Sequence, residues 1–328
     1  MNSRARSGLI RSLVMIAALA AVPAAKAAEF PTRPIKLVIP YAAGGPTDIF
    51  GRLVAEYLGK DLKQAVFVEN KAGAQGAIAA DMVAHAEPDG YTLLGTSGSV
   101  IILNPLLYKK LSYDPVKDLR MLALATEVPV VMCIHPSVPA KTVAEFVAYA
   151  KQNPGKLNFG SSGTGSFTHL AAEMFKQMAG IEMTHIAYKG AAPALSDVMS
   201  GNIQLMFESV SLALPPVQAG LLRPLGISSA QRISDLPDVP TIAESGYPEY
   251  FVNVWNGVAV PAKLPDDVTW ILTDSLDRVM NDPGFRTSLE KVGYTALRPR
   301  SAAAIAEFID ADRRRWSGVI KAQNISLD

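Results

Sequence analysis

Short β-type apolar runs alternate along this chain with stretches of helical period, and that alternation restricts the fold to an α/β sheet built mostly of parallel strands. The expected strands are Ile35–Pro40, Val66–Glu69, Tyr91–Gly95, Leu157–Gly160, Met183–Ile186, Ile203–Phe207 and Arg223–Ser228, each ending in a loop rich in Gly, Ser, Asn or Pro. After the first strand, Ile49, Phe50, Leu53, Val54, Tyr57 and Leu58 form one apolar helical face behind a Thr47 or Asp48 cap. Thr142 with Glu145 is a capping box opening a second helix. Asp266 opens a third, which Asp282-Pro283 ends, and Ser301 opens the last, whose Arg313-Arg314-Arg315 run reads as a solvated face.

Arg4, Arg6 and Arg11 precede an apolar run from Leu13 to Val22 and the small-residue stretch Ala25-Lys26-Ala27, the pattern of a cleavable secretory signal peptide at 1–27. The run is too short to span a bilayer, which takes roughly 20 residues, so an exported, periplasmic protein is expected. Removing 1–27 takes away Arg4, Arg6, Arg11 and Lys26 and no acidic residue, and the formal charge falls from +1 to 1 − 4 = −3. A nucleic-acid partner is thereby excluded, and an anion would have to be held by local amides and hydroxyls. Cys133 is the single cysteine, so no internal disulfide can form, and it sits in an apolar run as a core residue. The roughly 300 residues that remain suit two lobes of ordinary domain size.

Three loops follow strands and carry residues small enough for a ligand to approach the backbone, the position at which open α/β sheets collect ligands. The first runs Tyr41-Ala42-Ala43-Gly44-Gly45-Pro46-Thr47-Asp48, where free amides at a helix start can hold a carboxylate. The second is Thr96-Ser97-Gly98-Ser99, and the third is Gly160-Ser161-Ser162-Gly163-Thr164-Gly165-Ser166. None has the Gly-Lys-Ser/Thr of a phosphate-binding P-loop or the dinucleotide fingerprint. Ser162, Ser166, His169 and Asp197 can be assembled into a hydrolase only on paper. Ser166 and His169 stand three apart at a helix start, and no Gly-x-Ser-x-Gly elbow is present. His85, His135, His169 and His185 are scattered without ligand spacing, so no metal and no cofactor is expected. His135 and His185 read as structural, while Glu69 and Asn70 at a strand end divide between site and loop bracing.

Several segments in order carry a resemblance: Pro31-Thr32-Arg33-Pro34-Ile35 with Ala42-Ala43-Gly44-Gly45, Val68-Glu69-Asn70-Lys71 with Gly73, and Pro88-Asp89-Gly90-Tyr91-Thr92-Leu93-Leu94. The Ser161–Ser166 loop with His169, Tyr188-Lys189-Gly190, Asp238-Val239-Pro240-Thr241, and Trp255 with Gly257 complete it. On these the chain resembles the Bug (TctC-like) family, extracytoplasmic receptors of tripartite tricarboxylate transporters.

The resemblance implies a two-lobe periplasmic-binding-protein fold of type II with a hinge, binding and doing no chemistry. It implies that the loops at Tyr41–Asp48 and Ser161–Ser166 grip a carboxylate, with Tyr188–Gly190 and Glu208-Ser209 on the other side. Taken with the Thr96–Ser99 loop and the strand end at Asn70, the expected ligand contacts are Tyr41, Ala43, Gly44, Gly45, Thr47, Asp48, Asn70, Ser97, Gly98, Ser162, Gly163, Thr164, Gly165, Ser166, His169, Tyr188, Gly190, Glu208 and Ser209. Family members often have Gly where this chain has Gln75, and commonly Asp where Glu208 stands, a position that can meet a ligand ammonium. The ligand stays open among di- or tricarboxylates, amino acids and aromatic acids. The expected partners are the membrane subunits of such a transporter or, alternatively, a membrane sensor kinase, with the receptor itself a monomer. Lobe 1 is expected to comprise 28–128 with 253–328, and lobe 2 129–252, with hinge crossings near Thr126–Pro129 and Val252–Trp255.

Overall fold

A computed structural model describes residues 30–327 of the protein, and the expected signal peptide lies outside them. Strand β1 (Ile35–Ile39) leads through the first glycine loop into α1 (Pro46–Leu62), followed by β2 (Val66–Asn70), α2 (Ala77–Ala84) and β3 (Thr92–Ser97). A short α3 (Asn104–Leu107) precedes β4 (Leu119–Ile134). Then come α4 (Val143–Gln152), β5 (Asn158–Ser161), α5 (Phe167–Ala179), β6 (Thr184–Ala187), α6 (Ala191–Met199), β7 (Leu205–Ser209), α7 (Val210–Gln218) and β8 (Arg223–Ile227). The chain returns through β9 (Asn253–Pro261), α8 (Asp266–Asn281), α9 (Pro283–Glu290), β10 (Thr295–Ala296) and α10 (Ala302–Ala322).

The strands run β2-β1-β3-β9-β4-β7-β5-β6, with β8 and β10 both pairing β4. The expected parallel pairs are present: β1 lies parallel to β2 and β3, and β5 to β6 and β7. Two long strands absent from the sequence expectation join these halves, and they run antiparallel to each other. Along β4, residues Leu119 to Pro129 pair with β9, and Val130 to Ile134 pair with β7 and β8. Pro129 stands where the partner changes, the place in a ladder that tolerates a residue without an N–H. One apolar cluster packs β1, β3 and β9 against α1, α8 and α9; a second fills the space between α2, α5, α10 and both halves of the sheet. Cys133 is fully buried, as its apolar surroundings require.

The capping box is present, with Thr142 Oγ1 accepting from Glu145 N at 3.1 Å and Glu145 accepting from Lys141 N at 2.6 Å. Ser301 caps α10 through Ala304 N. The α1 cap differs from expectation. Gly45 is the N-cap and Pro46 the first helical residue, because a proline gives up no needed donor there. Asp48 sits a half-turn inside the helix and reaches back to Gly44. Asp266 is likewise the first helical residue behind Pro265. In the arginine run, Arg313 pairs with Asp310 and Arg315 with Asp312, and the Arg315 guanidinium lies 5.0 Å from the Phe251 ring centre.

Where the chain crosses between the halves, fully buried Ser228 holds the two crossings together. Its Oγ accepts from Val130 N at 2.9 Å and donates to the Val252 carbonyl. Ser228→Ala leaves the Val130 N–H without its acceptor in an apolar setting, so urea denaturation should show a loss of about 2 kcal/mol. A change within a few tenths would remove this serine from the tie.

Candidate functional site

Loop Tyr41–Asp48 is shaped from within. Asp48 is 1% exposed, and its carboxylate accepts from Gly44 N at 2.9 Å, Asn70 Nδ2 at 2.8 Å and Arg52 Nε at 2.8 Å. Burial raises the Asp48 pKa, but the hydrogen bonds from Arg52, Gly44 and Asn70 outweigh it and hold the group below its ordinary value. Asn70 Nδ2 also donates to the Tyr41 carbonyl at 3.0 Å, so this residue braces the loop rather than projecting freely from it. Tyr41 Oη lies 3.2 Å from Ser97 Oγ, joining the first loop to the second. Ala43 and Gly44 are exposed at the tip. Gly44 has φ +83° with open space where a Cβ would be, so the need for glycine is one of backbone angle.

Thr47 is buried and donates to Asn256 Oδ1 at 3.2 Å, and Asn256 Nδ2 donates to Thr126 Oγ1 at 3.2 Å. Asn256 did not stand out in the sequence, and Thr126 did so only as the start of an expected hinge crossing. Their signal is a buried polar residue inside each of two apolar runs, and strand register brings them together, since Asn256 pairs with both Ser97 and Thr126.

The third loop is a hydroxyl network. Ser166 caps α5, donating to Gly163 O at 2.7 Å and accepting from His169 N at 3.3 Å, with Thr168 Oγ1 3.0 Å from both Ser162 Oγ and Ser166 Oγ. Tyr188 N donates to Ser161 O and Gly190 N to Ser162 O, so the turn after β6 lies alongside this loop, whereas the resemblance implies a place on the other side of the ligand. The Tyr188 hydroxyl is committed to Asp197 at 2.5 Å. Thr164 is exposed at the tip, and Gly163 is partly exposed with φ +135°.

His169 lies beneath this loop, 5% exposed, with Nδ1 accepting from Gly165 N at 3.1 Å. That bond places the ring proton on Nε2, which faces Glu173 at 3.7 Å. The His169 ring stacks on His185 at 3.8 Å between centres, and His185 Nε2 lies 2.6 Å from Ser161 Oγ. The sequence kept these two histidines apart, whereas pairing of β5 with β6 brings them under one loop. Burial, then the neighbouring His185 and Lys176, lowers His169 to about 3; burial and Lys176 lower His185 to about 4. Both rings are therefore neutral at ordinary pH and act as fixed props.

Glu208 and Ser209 end β7. Ser209 N and Oγ both donate to Glu208 Oε1, at 2.8 and 3.0 Å, while Oε2 is buried without a partner. Burial raises this carboxyl to about 7 against the opposing Ser209 bonds. Beyond it, a Cβ at Gly293 would stand 3.2 Å from Ser211 Cα, and Tyr294 Oη donates to Pro46 O at 2.8 Å. The end of β7 thus reaches the back of the first loop through contacting residues.

Contacts also cross between the halves nearer the loop tips. Gln75 Nε2 donates to Thr164 O at 3.4 Å, and Gly98 lies so close to Phe167 that a Cβ would meet its ring at 2.8 Å. The structure therefore brings Tyr41–Asp48, Asn70 and Ser97-Gly98 into one group and Ser162–Ser166, Tyr188 and Gly190 into another, with Gln75 reaching the second group at Thr164 and Gly98 of the first packing against Phe167. A cleft of about 820 Å³ lies elsewhere between the halves, lined by Glu127, Asn253, Arg232 and Tyr294 among others. Among the described residues no cluster of three His, Cys, Asp or Glu side chains is placed to hold a metal, and no helix is long and apolar enough to cross a membrane.

The tripartite tricarboxylate transporter family receptor model matches residues 50–325. The chain belongs to this TctC receptor family. Protein BugT of Bordetella pertussis is 30% identical to it over 315 residues, covering 96% of each chain. A solved R. palustris protein with adipate shares 33% identity at a TM-score of 0.83, covering 91% of this receptor and 99% of that chain. MatC from Rhodopseudomonas palustris with bound malate shares 32% at 0.78, covering 89% and 100%. Fold and family are those of two-lobe solute-binding receptors and not of enzymes, and the Bug resemblance read from the motifs is borne out.

Proposed function

We propose that this TctC receptor works in the periplasm, capturing a small carboxylate between its lobes and delivering it to the membrane subunits of a tripartite tricarboxylate-type transporter. The observation that carries the reading is a pair of small-residue loops, one in each half of the sheet, whose tips are open while their bases are braced by hydrogen bonds. Asp48 and Asn70 hold one and the Ser161–Ser166 hydroxyls with His169 hold the other. Backbone amides and hydroxyls so fixed are the means available to a chain of negative mature charge for holding an anion. The adipate and malate found with the two R. palustris relatives favour a dicarboxylate among the open ligand classes.

The lobes are 28–128 with 253–328, and 129–252. Support comes from the change of partner along β4 at Pro129 and from the buried tie of Ser228 to both crossings. Ligand contacts to both loops exist together only when the lobes are close, so binding favours the closed form. The test is a thermal-shift panel of adipate, malate, tricarboxylates, amino acids and aromatic acids on the mature protein, followed by calorimetry. A dicarboxylate at a hundred times its Kd should add about 2.7 kcal/mol of stability. A panel in which amino acids bind and dicarboxylates do not would overturn the ligand class, and one with no binder at all would overturn the receptor reading.

A further inference from the structure

Between β2 and α2 the chain makes an unusual turn. Gly73 (φ +139°), Ala74 (+45°), Gln75 (+51°) and Gly76 (+86°) all have positive φ. Ala74 and Gln75 carry side chains in a backbone region that L-residues avoid, and such conformations persist only where the surroundings over-determine them. The surroundings here are a buried polar chain. Asn104, 1% exposed, donates through Nδ2 to Gln75 O at 3.1 Å and to Tyr113 Oη at 3.2 Å, and Tyr113 donates to Val100 O at 2.6 Å. Gly76 N donates to Gly73 O at 2.8 Å and closes the turn. The network fixes the backbone of Gln75, and the strained angle aims its side chain out of its own lobe.

That side chain ends on the other lobe. Nε2 donates to Thr164 O at 3.4 Å and stands 3.8 Å from where a Cβ on Gly163 would lie. A glycine in this turn would relieve the strain and present nothing across the gap.

We propose that Gln75 is a positioning residue of the carboxylate site: a latch, built into lobe 1, that draws the Gly163-Thr164 tip of lobe 2 toward the first loop and holds the closed form. The inference rests on the two-lobe binding site proposed above. Its amide acts on a backbone carbonyl, so it serves any ligand closed in by the two loops and slows release. The strain is retained because it places the amide where a relaxed backbone would not.

The test needs no ligand. Spin labels at Lys151→Cys and Lys263→Cys, one exposed site per lobe, report lobe separation by double electron–electron resonance on the mature protein, where buried Cys133 stays unlabelled. Gln75→Glu keeps the backbone strain and the side-chain length but removes the donor; Gln75→Gly removes both strain and donor. The expected result is a shift toward longer inter-lobe distances in both variants, with near-equal melting temperatures. For any acid shown to bind, both should also release about fivefold faster. Opening in Gln75→Gly alone would assign the effect to backbone relaxation and overturn the latch, as would unchanged distances in both. Failure of the ligand panel would instead defeat the carboxylate reading and leave the distance measurement standing.

Discussion

Asp48→Ala is expected to weaken binding of any acid that stabilises the wild-type receptor by about a hundredfold, equivalent to about 2.7 kcal/mol, and to lower folding stability by about 3 kcal/mol. The two effects have one source. The carboxylate is the common acceptor for Gly44 N, Asn70 Nδ2 and Arg52 Nε, so alanine removes three hydrogen bonds at once from a buried acceptor and leaves Asn70 Nδ2 with the Tyr41 carbonyl alone. The Arg52 pair contributes little of this, since its guanidinium is largely exposed. With Asp48 gone, nothing pulls Gly44 back toward the start of α1, and Asn70 no longer carries the Asp48 link to the Tyr41 carbonyl. The amides of the first loop then lose the fixed direction that makes them a carboxylate cradle. Asp48→Asn keeps one acceptor oxygen and the volume, so it should fall between, near a tenfold loss. Calorimetry and urea denaturation on the same three proteins separate the outcomes. Lost stability with unchanged affinity would reduce Asp48 to a structural brace.

Much of this was legible because it is local. The Tyr41–Asp48 and Gly160–Ser166 loops could be read as ligand-approachable because small residues follow predicted strands, and the Thr142–Glu145 box because capping is fixed by a three-residue spacing. What escaped is set by long-range register. Between Met121 and Ile134 the β4 segment reads as apolar stretches broken by Thr126, Glu127 and Pro129, without the alternation that marks a strand, because it is buried along nearly its whole length as it passes from one half of the sheet to the other. With β4 unplaced, the meeting of Thr126 with Asn256 could not be anticipated, nor could the stacking of His169 on His185 across the β5–β6 pair. Gln75 was visible only as a departure from a family glycine. Its positive φ and its reach to Thr164 are properties of the folded turn.

The pH dependence of stability offers a separate measure of the buried groups around the site, because Glu208 and the histidine pair work in opposite directions. Glu208 rises from its ordinary 4.5 to about 7 in the folded protein, so the native state keeps a proton that the unfolded chain gives up. Its contribution is therefore fully present below pH 4.5 and is lost as the pH rises toward and through 7, a change of about 3 kcal/mol. His169 and His185 fall from 6.5 to about 3 and about 4. Their contribution is present above pH 6.5 and is lost as the pH falls below it, about 2 kcal/mol by pH 5 for deeply buried His169 and less for half-buried His185. Between pH 4.5 and 6.5 the two trends offset each other, and the wild-type profile should be shallow there. Glu208→Gln removes one side of the balance. Its unfolding free energy should climb from pH 4.5 to about 6.5 and then level off, gaining about 3 kcal/mol on the wild type between pH 4.5 and 7.5. His169→Gln should show the reverse, losing ground to the wild type as the pH rises from 5 to 7. Urea denaturation at pH 4.5, 6 and 7.5 decides the matter. Parallel profiles for wild type and Glu208→Gln would mean that the unpartnered Oε2 is reached by water in solution and that the carboxyl titrates as an ordinary glutamate.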